Sequence, residues 1–268
     1  MNDAHNITKG HLGKREAAFL AKAGTQPTFD LAFARQVLGQ SKDDPTPQFL
    51  ERLQSKGWIR RIRRGRFAVV PLSSGTDRSP QLHEFVVAMQ LVEPAAIAYW
   101  SALNHHGMTE QLPRTVFVAT NHPVRRPPGD VLGVSYRIVS VSPGKFFGVM
   151  KDWIDETPFS VTDREKTIID GLDLPQYSGG VGEIAAALVG FWKTLDEKKL
   201  KKYAAGIGNS AVAKRLGFLM ETLGLGNVEL FRKSLTFAPG FVSLDPTLPK
   251  QGKYNRRWGL LINAEIQP

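Results

Sequence analysis

The sequence predicts an α+β protein, and three observations lead to this fold class. Three short amphipathic segments are followed by a hairpin-like stretch within the first 70 residues. A polar segment rich in Ser, Gly and Pro, "PLSSGTDRSP", follows at 71–80 and is typical of a linker. Helical and strand patterns then alternate to the end of the chain. We therefore predict an N-terminal winged helix-turn-helix DNA-binding domain at 1–70 and a larger mixed α+β domain at 81–268.

The first two helices are indicated by apolar periodicity and by residues typical of helix ends. The first is predicted over about Leu12–Ala23, with Gly24 as its stop. The second lies in "TFDLAFARQVLG", where Thr28 is the predicted cap and Asp30 lies in the positive first turn. Gly39 ends this second helix.

The third helix opens in "DDPTPQFLERLQSKG" and is the predicted recognition helix. Either Asp44 before Pro45 or Thr46 before Pro47 supplies a cap with proline at the first helical position, and the sequence does not choose between them. In the winged-helix order the third helix normally enters the major groove of DNA. We expect base contacts from its start and outer face, through Lys42, Thr46, Gln48 and Arg52.

The stretch "GWIRRIRRGRFAVV", from Gly57 to Val70, is predicted to form a β-hairpin with Gly65 in the turn. This turn pairs Ile62 with Phe67 and Arg63 with Arg66. Strand alternation then divides the side chains between two faces. The mostly apolar face, expected to lie on the helices, carries Trp58, Arg60, Ile62, Phe67 and Val69, and the other face carries Ile59, Arg61, Arg63, Arg66, Ala68 and Val70.

The hairpin holds five arginines in seven residues, and like charges facing one another destabilise a hairpin. A charged edge that only prevents aggregation is the simpler alternative, but it usually needs one or two charges. An anion that neutralises the cluster is the better explanation. We expect a DNA-binding wing that grips phosphate without reading sequence, through Arg61, Arg63, Arg64 and Arg66.

Charge and composition agree with a polyanion-binding first third. The net charge is +10; residues 1–80 hold 14 Lys and Arg against 7 Asp and Glu, whereas residues 81–249 hold 17 of each. The 268-residue chain is 42% apolar and has no cysteine, which excludes disulfides and thiolate chemistry. No apolar run is long enough for a membrane span, so we expect no membrane partner. The absence of cysteine suits a reducing cytosol, and the N-terminus lacks the apolar middle of a signal peptide, so we expect a cytoplasmic protein.

The second part is predicted to mix helices with strands. "RTVFVAT" and "VSYRIVSVS" look like strands, and "RWGLLINAEI" is a candidate closing strand. Thr162, three residues before Glu165, has the spacing of a capping box. The predicted helices are His83–Val92, Ala95–Asn104, Val181–Leu195, Glu197–Ala204 and Ala211–Leu223.

The sequence evidence for catalytic groups in this part is weak, and we expect that the protein is not an enzyme and has no cofactor and no metal. His105 and His106 are adjacent, so their side chains point apart on a helix. "SGGVGE" at 178–183 lacks the lysine of a phosphate loop. A carboxylate cluster that suggests magnesium, although acids also favour helix N-termini, contains Asp163, Glu165, Asp170 and Asp173.

The tail "PTLPKQGKYNRRWGLLIN" leaves two interpretations open. It is either a second polyanion-binding surface or a terminal strand packed by Tyr254 and Trp258 with charged edges. Its basic residues are Lys250, Lys253, Arg256 and Arg257.

Four motifs occur in an order that resembles the AbiEi family, antitoxins of bacterial type IV toxin–antitoxin systems. They are "LQSKGWIRRIRRGRFAVV", "EPAAIAYWSALNHHGMTEQLPRTVFVAT", "DREKTIIDGLDLPQYSGGVGEIAAAL" and "LDPTLPKQGKYNRRWGLLIN". The resemblance implies a winged helix that binds inverted repeats of double-stranded DNA in its own promoter and represses it. It also implies a C-terminal domain that counters a nucleotidyltransferase-like toxin.

Two alternatives remain at this point. The chain is a stand-alone winged-helix regulator whose C-terminal domain senses a ligand or partner, or it is a nucleic-acid enzyme delivered to DNA by the wing. An enzyme of this kind should carry a metal-binding carboxylate pattern such as Gly-Ser followed by Asp-x-Asp, and the sequence has none.

Overall fold

The computed structural model describes residues 11–40, 45–71, 74, 79–126 and 128–266, and the fold is mixed α+β as predicted. Most of the predicted linker at 71–80 lies outside the described residues. None of the helices in the described ranges is long and apolar enough to cross a membrane.

The N-terminal part has the element order of a winged helix. The strands form one three-stranded sheet in the order β1-β3-β2, with β1 and β2 both antiparallel to β3. The elements are α1 (Lys14–Ala23), β1 (Phe29–Asp30), α2 (Leu31–Leu38), α3 (Thr46–Ser55), β2 (Ile59–Arg63) and β3 (Arg66–Val69).

Local hydrogen bonds explain the ends of these helices. The α2 cap is Asp30, whose Oδ1 accepts a hydrogen bond from the Phe33 N–H at 2.8 Å. The prediction of Thr28 as the cap is wrong, because the intervening Phe29 belongs to β1. Gly39 ends α2 in the left-handed conformation, with φ of 65°. Helix α3 begins at Thr46, directly after Pro45, so it matches neither predicted cap-proline pair.

Aromatic side chains fill the core of the N-terminal part. Phe19 meets Phe29 and Phe49 edge-to-face at centroid distances of 5.5 and 5.4 Å. Phe29 also stacks on Phe67 of β3 at 5.7 Å, which fixes the hairpin against the helices. Ile59 is fully buried in the same core.

The second part contains a six-stranded sheet in the order β6-β7-β5-β4-β9-β8 and a three-stranded sheet in the order β10-β12-β11. The helices pack around them. The strands are β4 (Ala96–Ile97), β5 (Thr115–Thr120), β6 (Asp130–Val131), β7 (Val134–Ser140), β8 (Val149–Ile154), β9 (Thr157–Thr162), β10 (Val242–Ser243), β11 (Lys253–Asn255) and β12 (Leu260–Ile262). The helices are α4 (Glu84–Ala88), α5 (Tyr99–His105), α6 (Arg164–Asp173), α7 (Val181–Phe191), α8 (Glu197–Gly206), α9 (Ser210–Thr222) and α10 (Val228–Lys233).

The predicted strands match β5, β7 and β12. Helices α4, α5 and α7 are shorter than predicted, α8 is two residues longer, and α9 is shifted by one residue. The predicted start of a helix at Ala95 is wrong, because Ala96–Ile97 form β4. The β8–β9 hairpin was not predicted. The predicted capping box at Thr162 is wrong, because Thr162 is the last residue of β9. The cap of α6 is Asp163, whose Oδ1 accepts a hydrogen bond from the Lys166 N–H at 2.8 Å.

One hydrophobic core crosses from the hairpin into the second part. Ile62 of β2 and Ala68 of β3 are buried together with residues of α4, α5 and the six-stranded sheet, including Val87 and Phe159. The hairpin therefore contacts the helices of the N-terminal part with one side and the second part with the other.

Candidate nucleic-acid interface

The outer face of α3 is exposed, but it does not contain every predicted residue. Gln48 and Arg52 are exposed one turn apart, and Glu51 lies exposed between them. Thr46 is fully buried, and its hydroxyl donates a 2.8 Å hydrogen bond to the Gln40 side chain. The prediction that Thr46 contacts bases is therefore wrong in this geometry. Predicted Lys42 lies outside the described residues.

The hairpin register matches the predicted one at the turn but differs from it in the part of the hairpin away from the turn. Arg63 pairs with Arg66 as predicted, but a bulge between Arg61 and Arg63 places Arg61, not Ile62, opposite Phe67. A bulge adds one residue to one strand and so reverses the alternation beyond it. The predicted pairing of Ile62 with Phe67 is consequently wrong.

The bulge also changes which apolar side chains face which core. Ile59, predicted on the outer face with the arginines, is fully buried against the helices beside its partner Val69. Ile62 turns instead toward the second part and is 5% exposed there. Both sides of the hairpin base are thus fixed by apolar contacts.

The arginines at the hairpin tip have different surroundings. Arg66 forms a long ion pair with Asp30, with 3.7 Å between Nη1 and Oδ2. The Arg63 Nε donates a hydrogen bond to the Gln90 carbonyl of the second part. Arg61 and Arg64 are exposed, and neither is within 4.0 Å of a carboxylate in the described part of the chain. The tip therefore presents uncompensated positive charge.

The positive surface continues from the hairpin onto the second part. A groove of about 430 Å³ is lined by Arg63, Arg66 and by Lys151 of β8, together with Glu93. Three cations and one carboxylate thus line the groove. Nothing in the sequence around Lys151 predicts this placement, because it depends on the docking of the hairpin on a distant strand.

The two adjacent histidines have separate partners. The His105 Nε2 donates to the Asp152 carboxylate at 2.8 Å, and the His106 Nε2 donates to the Thr162 carbonyl at 2.7 Å. Burial holds the pKa of His106 below its usual value of 6.5. Each imidazole is held by its own hydrogen bond.

The predicted carboxylate cluster is divided among several cations. The Lys199 Nζ lies 3.0 Å from the Asp163 Oδ2 and 3.1 Å from the Glu165 Oε2. The Lys145 Nζ lies 2.6 Å from the Asp173 Oδ2. Asp170 forms a buried ion pair with Lys166, and burial raises the pKa of Asp170 to about 6. In the described ranges no group of three or more His, Asp or Glu side chains is arranged to hold a metal ion.

The glycine-rich segment at 178–183 already holds an internal carboxylate. The Asp245 Oδ2 accepts a 2.8 Å hydrogen bond from the Val181 N–H at the start of α7. This carboxylate occupies the position that a phosphate takes at a helix N-terminus.

The basic tail contains a buried tryptophan, an exposed arginine held by ion pairs, and three further exposed cations. Trp258 is 2% exposed in the helical core, and Arg257 forms ion pairs with Glu221, at 3.0 Å, and with Glu229. The remaining tail cations are exposed without such partners in the described part: Lys250, Lys253 and Arg256.

Comparisons with known proteins show a shared fold. No family model matches the chain, and no curated protein matches it. Among solved structures, the Rv2827c protein from Mycobacterium tuberculosis superposes with a TM-score of 0.67 at 13% identity. The match covers 96% of this chain and 94% of that one, so the two share their architecture over nearly the whole length.

Proposed function

We propose that this protein binds double-stranded DNA through its N-terminal winged helix and acts as a transcriptional repressor. The observation that carries the proposal is the uncompensated cation cluster of the hairpin tip, Arg61 and Arg64, on a winged-helix fold whose α3 exposes Gln48 and Arg52. In this fold the third helix enters the major groove while the wing contacts the flanking backbone.

The two elements have different tasks in this proposal. Arginine side chains of the wing bind phosphate oxygens, which position the protein but carry no sequence information. Gln48 and Arg52 have the side chains that read adenine and guanine through paired hydrogen bonds. Arg63 and Arg66 contribute charge to the same backbone contact while they also hold the hairpin in place.

The resemblance to the AbiEi family supports a finer proposal. The DNA target is a set of inverted repeats in the protein's own promoter, and the second part counters a nucleotidyltransferase-like toxin. The proposal involves no catalytic residue and no cofactor.

Footprinting of the full chain on the DNA upstream of its own gene tests this proposal. We expect protection of repeated half-sites and loss of protection when the half-sites are scrambled. Equal binding to the scrambled DNA contradicts specific repression. Co-expression with the adjoining reading frame tests the antitoxin role, and growth arrest that this protein does not relieve contradicts it.

A cleft supports a second candidate, a regulator that senses a ligand. A space of about 1200 Å³ lies between the N-terminal part and the second part, with Leu20, Trp58 and Leu82 among its apolar lining and Asp155 and Glu156 at its acidic side. This lining suits an apolar ligand that carries a positive charge. A thermal-shift screen identifies a candidate ligand. This ligand should not bind the variant Ala21→Trp, whose larger side chain fills the cleft. In the parent protein the ligand should change the affinity for DNA.

A further inference from the structure

Two aromatic side chains are exposed together on the small C-terminal sheet. Tyr254 of β11 is 66% exposed and Phe241, just before β10, is 49% exposed. Their rings meet at a centroid distance of 4.8 Å and an angle of 66°. In the described part of the chain only Trp153, at 58%, is comparably exposed among the aromatic residues.

The core of the C-terminal sheet is filled by another aromatic residue, so Tyr254 and Phe241 are not needed for its packing. Trp258, four residues after Tyr254, is buried and packs edge-to-face on Phe237 at 5.7 Å. β11 is an edge strand of its sheet, and Tyr254 lies opposite Leu261 of β12. Packing of the tail is therefore provided by Trp258, whereas Tyr254 and Phe241 leave ring surface open to solvent.

Three exposed cations lie in the same segment as Tyr254, and none of them forms an ion pair within 4.0 Å in the described part of the chain. Lys253 and Arg256 lie within two residues of Tyr254, and Lys250 is four residues before it; all three are exposed. The carboxylates of the segment 234–266 are Asp245 and the exposed Glu265, and no ion pair within 4.0 Å joins either of them to these cations. Asp245 is 3% exposed and accepts hydrogen bonds from within the protein, so it does not offset these cations.

We propose that this aromatic–basic surface, formed by Phe241, Tyr254, Lys250, Lys253 and Arg256, binds single-stranded nucleic acid. Unpaired bases stack on exposed aromatic rings while cations track the phosphates, and this combination is tolerant of sequence. A duplex offers no unstacked base to such rings. The surface is separate from the winged helix, so its function does not depend on duplex binding there.

The test uses the full chain carrying Arg61→Ala and Arg64→Ala, which removes two of the exposed wing cations and so weakens the competing site. Fluorescence anisotropy with labelled oligo-dT and oligo-U of about 15 nucleotides, long enough for one such surface, measures single-strand affinity. Tyr254→Ala should weaken binding by roughly tenfold or more, whereas Tyr254→Phe should stay within about twofold of the parent. Tyr254→Leu should resemble Tyr254→Ala, because leucine keeps apolar bulk but has no ring.

A second set of variants tests the contribution of the surface cations and the location of the binding site. Lys250→Ala, Lys253→Ala and Arg256→Ala together should weaken binding by at least about tenfold and flatten its salt dependence. Trp153→Ala, and the exposed α8-region triple Lys193→Ala, Lys198→Ala and Lys202→Ala, should stay within about twofold of the parent, because none of these residues lies on the proposed surface.

Three results overturn the proposal. The first is a parent that does not bind either oligonucleotide. The second is Tyr254→Leu binding as tightly as the parent, which indicates an apolar protein-docking surface. The third is polyglutamate competing as well as the oligonucleotide, which indicates a surface for acidic polypeptides. Failure of duplex binding, measured on the chain with an intact wing, overturns only the repressor proposal.

Discussion

At the scale of single residues, the hairpin arginines are not equivalent. Arg61 and Arg64 project into solvent without a described carboxylate partner, whereas Arg63 contacts the Gln90 carbonyl and Arg66 contacts Asp30. Replacing all four together would therefore remove the proposed phosphate contacts and the observed structural contacts at the same time. Arg61 and Arg64 are the cleaner test of DNA binding.

Base reading by α3 is a residue-scale prediction. Arg52→Ala or Gln48→Ala should change the preference among DNA sites by about 1–3 kcal/mol if the side chain makes a paired base contact. Competition binding against a panel of single-base variants measures this preference. Glu51→Ala on the same exposed face is the control, and a uniform loss of affinity across all sites would refute base reading.

Burial of His106 predicts a pH dependence of stability. Its pKa in the folded protein is lowered, so below about pH 6.5 the unfolded chain takes up a proton that the folded protein resists. The free energy of unfolding should then fall as the pH drops, by up to about 1.4 kcal/mol per pH unit from this group. Urea unfolding at about pH 7.5 and about pH 5.5, on either side of the ordinary histidine pKa, measures the change.

His106→Gln is the matched variant for that measurement, because it keeps a donor for the Thr162 carbonyl but does not titrate. Asp170, whose pKa is raised to about 6, acts in the opposite direction in both proteins, since its stabilising contribution is present at low pH and is lost as the pH rises through about 6. The difference between variant and parent in the pH dependence of the unfolding free energy gives the contribution of His106. An equal pH dependence in the two proteins would exclude His106 as the cause.

At the scale of elements, the hairpin is a bridge between two cores. Its bulge turns Ile62 into the core that includes Phe159, while Phe67 and Ile59 remain on the N-terminal helices. The second part therefore contributes to the position of the wing. Under the proposed function, α4 and the six-stranded sheet therefore help to position the element that contacts DNA.

Ile62→Ala tests this link. The cavity should cost about 2–4 kcal/mol of unfolding free energy and lower duplex affinity, with an unchanged salt slope because no phosphate contact is removed. Ile207→Ala in the helical core is a comparably buried control that should lose stability without losing affinity. Equal effects of both variants on affinity would show that the bridge does not position the wing.

Local signals predicted the fold class, the three N-terminal helices with the hairpin after them, and strands β5 and β7, but not the short strand β1 between α1 and α2. They did not predict β8 and β9, whose sequences mix exposed charged residues with Pro158 and so lack clean alternation. The side of the sheet that Ile62 faces depends on contacts with residues distant in the chain, such as Phe159, whereas Thr46 is buried where it bonds the Gln40 side chain. The exposure of Gln48, Arg52, Arg61 and Arg64 was thus easier to predict than the register of the hairpin.

At the scale of the whole molecule, the chain presents two basic regions with different chemistry. The wing and its groove combine arginines with Lys151, while the C-terminal sheet combines lysines with exposed aromatic rings. The first suits duplex phosphate, and the second suits unpaired bases. The two proposals together predict that the protein binds a duplex and a single strand at separate places.

The most direct test of duplex binding by the wing is the salt dependence of affinity for the full chain. Anisotropy titrations from about 50 to 200 mM salt compare the parent with Arg61→Ala plus Arg64→Ala, and with Arg232→Ala plus Lys233→Ala on α10 as the control. The wing variant should bind all duplexes more weakly, with a log–log slope flattened by about 0.9 for each phosphate that the wing no longer neutralises. A slope identical to that of the parent would show that these arginines do not touch the DNA backbone.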